Sequence, residues 1–228
     1  MLWKKQPVRG GKDYSCSSVA DIKNLLDPDM PLCGFVIKDF CDLLRYNFPA
    51  LVLVHCDVDL GLPLAVEDDR DLFDPTATKA ILFFHHDSMG VGHFMVTWVR
   101  VTGGVAAPEL SMMFLDPVGR ADATGATRFS VAIKRALIKH WEVRRGATAQ
   151  TPTFLDTSAP DDVDIQKGDL HCGRYAMLYA ECIARTGELP CSGVFTGGRD
   201  KDCGIMRYAR RVALVINQRT FDLHPAEA

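Results

Sequence analysis

Three short β-type runs follow one another in the middle of the chain, and that succession limits the fold more than any other feature. Lys79–His85 and His93–Val101 are separated by the turn residues Asp87-Ser88-Met89-Gly90. After Thr102-Gly103-Gly104 comes a third run, Ser111–Leu115, ended by Asp116-Pro117-Val118-Gly119. Short turns of this kind join antiparallel strands. Upstream, Phe35, Val36, Phe40, Leu43 and Leu44 recur at helical spacing within Cys33–Phe48 until Pro49 stops them, and Ala50–Val54 follows as a short buried strand. Downstream, Ser130 is placed to cap a helix through about Arg145 whose apolar face is Val131, Ile133, Ala136, Leu137 and Trp141. Thr153–Leu155 is a further short strand, and the segment opening at Cys172 carries Tyr175, Leu178, Tyr179, Cys182 and Ile183 as a helix that ends near Gly187. Helix, strands, helix, strand, helix is an α+β order.

The 228 residues suffice for a single domain with a real core. Residues 1–31 form an irregular arm with one small helix at Val19–Leu26, and 32–228 form the domain, with its core over about 32–190 and a C-terminal extension over 191–228. The acidic, Pro-containing stretch 57–79 suits a surface excursion. The longest apolar runs fall far short of the roughly 18 residues a membrane helix needs, and the first residues lack the apolar region of a secretory signal, so an intracellular place is expected: cytoplasm, nucleus or virion. A net charge of −3 disfavours nucleic acid as a partner. The basic groups at Arg128, Lys134, Arg135, Lys139, Arg144 and Arg145, and at Arg207, Arg210 and Arg211, then read as solvated faces. The eight cysteines are diluted over a chain that has its own core, which favours reduced thiols. No C-x-x-C or H-E-x-x-H occurs. A scattered site from His85, His86 and a distant cysteine is the remaining metal arrangement, and no metal is expected.

Chemistry concentrates around Cys172. It directly precedes a helix, where unpaired amides and the macrodipole favour an anion, so a thiol there is biased toward the nucleophilic thiolate. A small packed cysteine is the plainer alternative. Gln166 lies six positions upstream, where its side-chain amide can complete an oxyanion hole with the Cys172 amide, and Gly173 lets a substrate approach the backbone. A base is still needed. His93 opens one strand and Asp116 ends the next, and an antiparallel hairpin would bring the two ends together, the carboxylate orienting the imidazole. Alternatively, both are ordinary strand-end and turn residues. His85, His86 and His171 are rival bases, but His85 and His86 point to opposite faces of a strand, and His171 abuts the cysteine too closely to share an outside acceptor easily.

Taken in order, Gly92-His93-Phe94, Phe114-Leu115-Asp116-Pro117-Val118-Gly119, and Gln166 through Cys172-Gly173 resemble the cysteine proteases that include adenain, the adenovirus maturation protease, and the SUMO-specific or ubiquitin-like-protein-specific proteases. The likeness covers about residues 32–190. It implies a papain-like fold with a central mixed sheet flanked by helices. It also implies a thiol endopeptidase or isopeptidase in which Cys172, His93, Asp116 and Gln166 are catalytic, and Phe94, Gly173 and Trp98 contact substrate. No cofactor is implied. The substrate would be a protein, either a viral precursor cut at glycine-rich sites or a ubiquitin-like protein, and Arg9-Gly10-Gly11 offers a site for self-cleavage. The chain departs from the family in carrying Phe94 where Trp is usual, His171 where Asp is common, and a longer interval between His93 and Asp116. Related bacterial effectors use a similar set for acetyl transfer from acetyl-CoA with an inositol phosphate activator, and a catalytically silent binding module could keep the same fold.

Overall fold

A computed structural model describes residues 17–49, 52–58, 71–76, 78, 80–87, 92–119, 123–146, 149–160, 163–166, 170–191, 195 and 203–218; for 52–58, Asp87 and 123–128 it describes the backbone alone. Arg9-Gly10-Gly11, most of the 57–79 stretch, the turn residues 88–90 and the Arg128 side chain lie outside it. Among the described residues ten elements are present: α1 (Val19–Leu26), α2 (Gly34–Asn47), β1 (Val52–Val58), β2 (Ala80–Asp87), β3 (His93–Gly104), β4 (Ala107–Leu115), α3 (Ala123–Arg145), β5 (Thr153–Thr157), α4 (Cys172–Thr186) and α5 (Gly204–Gln218).

The sheet runs in chain order, β1-β2-β3-β4-β5. β2, β3 and β4 pair antiparallel, while β1 and β5 join the edges in parallel. Alternation along β2 and β3 divides their side chains between two cores. Leu82, Phe84, Phe94, Val96 and Trp98 face α2, α4 and α5, whereas Ile81, Phe83, Met95 and Val99 face α3 through Phe129, Ile133, Leu137 and Trp141. The result is a mixed sheet between two helical layers, the arrangement expected from the sequence.

Four local expectations are corrected. The β3–β4 reversal lies at Val105-Ala106, because Gly103 adopts φ +79° and continues the ladder opposite Pro108; a Cβ there would stand 3.0 Å from the Ala107 carbonyl. α3 begins at Ala123, so Ser130 lies inside it and reaches Asp156 instead of capping. The described end of the acidic stretch is part of the core: Leu72 and Phe73 are fully buried, with Phe73 edge-on to Trp141 at 4.9 Å. Residues 204–218, read only as part of an extension, form α5.

Helix α5 buries Ile205, Tyr208, Val212, Val215 and Ile216 at helical spacing, each aliphatic worth about 1.5–3 kcal/mol. Arg211 is not on a solvated face. It is fully buried and ion-paired to Glu181 of α4, whose other oxygen accepts from Arg185 Nε at 2.8 Å; Tyr208 Oη also donates to Glu181, at 3.2 Å. Burying that carboxylate is tolerable because it is charge-paired and multiply bonded. It fastens α5 to the helix that begins with Cys172.

Candidate active site

The β3–β4 pairing sets Val96 opposite Leu115, so the residue after β4 stands beside the first residues of β3. His93 Nε2 there donates to Asp116 Oδ1 at 2.7 Å. The same oxygen accepts from the Val118 amide at 2.9 Å, which holds the carboxylate in an Asx turn closed by Gly119 N–H to Asp116 carbonyl at 2.9 Å. Gly119 is at φ +69°, a conformation that favours glycine.

Cys172 comes to this pair on the first turn of α4. The Phe94 amide donates to its sulfur at 3.5 Å, and the His93 imidazole is within hydrogen-bonding reach of the thiol. With Nε2 committed to Asp116, the ring's other nitrogen is left for sulfur. Partial burial pulls the imidazole toward its neutral form, but the bonds and charges of Asp116 and Cys172 outweigh it and hold His93 protonated up to about pH 9. A persistent imidazolium beside a sulfur at an open helix N-terminus is the setting in which thiolates form and attack carbonyls. The N-cap residue of α4, His171, makes no side-chain cap bond.

Gln166 is buried on the loop before α4. Its backbone N–H donates to the Pro117 carbonyl at 2.7 Å, so the loop carrying Gln166 is tied to the turn carrying Asp116. The preceding Asp164 is fastened on three sides: its carbonyl accepts from Tyr179 Oη, its carboxylate accepts from the Phe195 amide at 2.7 Å, and its own amide donates to the Pro190 carbonyl at 3.2 Å.

A small recess opens over Cys172, lined by Pro31, Leu32, His86, Gly92, Phe94 and Leu170. Phe94 therefore borders it, with the His86 ring stacked on its face at 4.4 Å. Gly173 serves the recess indirectly. A Cβ there would stand 3.0 Å from Leu32 Cβ and 3.3 Å from Phe94, so the glycine makes room for the wall, where the sequence suggests room for substrate. Trp98 lies further along β3, buried in the core with Arg100 over its ring at 4.4 Å, and does not line the recess.

Of the rival histidines, His86 borders the recess stacked on Phe94, while His85 and His171 are engaged with other partners. His85 is fully buried against Phe129, its Nε2 2.7 Å from Thr97 Oγ1, and burial lowers its pKa to about 3, which keeps it neutral. His171 Nδ1 accepts from Arg174 Nη1 at 3.2 Å, so that lone pair is already in use. Among the described residues no group of His, Cys, Asp or Glu could hold a metal ion. Sequence reasoning passed over Pro31, Leu32, Leu170 and Arg174, which join the site through contacts without local signal.

No protein-family model and no curated protein sequence matches the chain at a significant level. Solved structures do match in fold. The C-terminal Ulp1 protease domain in complex with Smt3, the yeast ortholog of SUMO, aligns over 88% of this chain and 82% of its own, with a TM-score of 0.59 and 12% identity. SUMO protease Ulp1 with its catalytic cysteine oxidized to a sulfenic acid aligns over 89% and 84%, also at TM-score 0.59 and 12% identity. A de-sumoylating protease aligns over 89% and 78%, at TM-score 0.53 and 12% identity. The chain thus has the fold of the Ulp1-type cysteine proteases.

Proposed function

We propose that this chain is a thiol isopeptidase that cleaves after the terminal glycines of a ubiquitin-like protein. The observation that carries the reading is the meeting of three distant side chains at one recess, with Asp116 on His93 and His93 at the sulfur of Cys172. In this mechanism Cys172 attacks the scissile carbonyl as a thiolate. Gln166 and the Cys172 amide stabilise the oxyanion, and His93 donates its proton to the leaving amine. Water then attacks the thioester with His93 acting as base, which releases the carboxylate and restores the thiol. Pro31, Leu32 and Phe94 wall the recess beside Cys172, and the solved Ulp1 domain of this fold holds a SUMO ortholog.

The test uses SUMO and ubiquitin carrying a C-terminal electrophile. Labelling of wild type at Cys172, lost in Cys172→Ala and greatly slowed in His93→Ala, is the expected result. Consumption of acetyl-CoA without probe labelling would overturn the reading.

A further inference from the structure

Arg174 occupies the first turn of the helix that begins with Cys172, yet it is fully buried. Its guanidinium reaches into the N-terminal segment. Nη2 donates to the carbonyls of Asn24 at 2.8 Å and Asp27 at 2.7 Å, Nε to Leu25 at 3.1 Å, and Nη1 to Leu170 at 3.1 Å; both Nη atoms reach the Met30 carbonyl at 3.3 Å. Three of these carbonyls belong to the end of α1 or its C-cap, where a cation is favoured. The planar fork from α4 adds donors to those of Asn24 and Asp27, which also accept at 3.3 Å from the Asp27 and Met30 amides, and bonds the Leu25 carbonyl as well. Burial lowers the guanidinium pKa to about 10, partly offset by the charge of Cys172, so it stays positive at neutral pH.

The chain leaving these anchors forms a wall of the recess. Met30 is held, and Pro31 and Leu32 follow it directly onto the lining beside Cys172. Two residues of chain, about 7 Å at full extension, leave little slack between anchor and wall. Leu32 lies where a side chain on Gly173 would lie.

We infer that Arg174 is a positioning residue for substrate selection: by holding the carbonyls from Asn24 to Met30 it fixes Pro31 and Leu32 over the start of α4, so the gap beside Cys172 admits glycine and rejects side chains. The inference rests on the protease reading above. It assigns selection to a residue that touches no substrate. An arginine that served only to hold the fold would, when replaced, slow every reaction at Cys172 alike.

The experiment compares wild type, Arg174→Lys, Arg174→Met and Leu32→Ala in two arms. In the first, Cys172 is alkylated with small iodoacetamide or bulky N-phenylmaleimide, and its peptide is followed by mass spectrometry. In the second, kcat/KM is measured on ubiquitin-like tails ending in Gly-Gly or Gly-Ala before a fluorogenic amide. Arg174→Met and Leu32→Ala are expected to raise both the bulky-to-small ratio and the Gly-Ala-to-Gly-Gly ratio about tenfold, with Arg174→Lys, which keeps the charge but not the fork, falling between Arg174→Met and wild type. Unchanged ratios in folded Arg174→Met overturn the inference. Should that variant fail to fold, unchanged ratios in Leu32→Ala overturn it equally. If wild type cleaves neither tail, the protease reading fails, and the alkylation ratios still decide the role of Arg174.

Discussion

Replacing Asp116 with Asn removes one charge and little else. Asn keeps an oxygen that can accept from the Val118 amide, so the turn that presents the side chain should survive. What is lost is the negative charge 2.7 Å from His93 Nε2. An adjacent opposite charge moves a titration by about 1–3 pH units, and the partly solvated imidazole argues for the lower part of that range, about 1–2. At 1.36 kcal/mol per unit this is about 1.4–2.7 kcal/mol of imidazolium stabilisation. His93 in the intact protein keeps its proton to about pH 9. In Asp116→Asn it should lose it near pH 7–8 by the same arithmetic. Cleavage needs that proton for the leaving amine, so the alkaline limb of kcat/KM should move down by the same amount, and the rate at its optimum should fall about 10²-fold or more. The upper inflection of iodoacetamide alkylation at Cys172 reports the same titration without a substrate. Stability follows with a definite sign: the folded-state value lies above the ordinary imidazole value of 6.5, so the contribution of His93 is complete below pH 6.5 and fades as pH rises to about 9. A limb and inflection unchanged in Asp116→Asn would refute the pairing as the cause.

Gln166→Ala should lower kcat about 10²–10³-fold with little change in KM, since an oxyanion donor acts mainly in the transition state; equal losses in both constants would contradict that role. Breaking the buried pair with Glu181→Gln or Arg211→Met should cost about 3–5 kcal/mol, or roughly 6–20 °C in Tm for a domain of this size. Arg211→Met belongs at the lower end, because Arg185 and Tyr208 still bond Glu181, and a melt unchanged in both variants would exclude the pair as a stabilising contact. His85 should make the fold acid-sensitive. Its folded value of about 3 lies below the unfolded 6.5, so its contribution is full above pH 6.5 and declines below it by about 1.4 kcal/mol per pH unit. Thermal melts between pH 6.5 and 4.5 should show this decline in wild type and a flatter profile in His85→Phe.

What could be seen in the sequence was whatever is written locally. The β3–β4 hairpin and α4 announce themselves through period and turn residues, and Cys172-Gly173 sits where a helix visibly starts. Asp116 was legible because its reach to His93 needs only the antiparallel pairing of adjacent strands. α5 was overlooked although Ile205, Tyr208, Val212 and Val215 carry the helical period, because Arg207, Arg210 and Arg211 drew the reading toward a polar surface. Charge type alone does not tell Arg211, buried on Glu181, from its exposed neighbours. Arg174 was beyond reach for another reason: its partners lie about 150 positions earlier in the chain, and no spacing rule connects them. Pro31 and Leu32 were hidden likewise, since their role depends on how α1 docks.

The place of Cys172 at the start of α4 carries one more implication, about time. Asp116 and His93 can find each other as soon as one hairpin closes, but the sulfur is 79 positions beyond the imidazole. During synthesis from the N-terminus the hairpin therefore leaves the ribosome well before the thiol does, and the Glu181–Arg211 link that steadies the thiol's helix can form only later still. Imidazole and sulfur are kept apart until the chain has been made as far as residue 172 of 228.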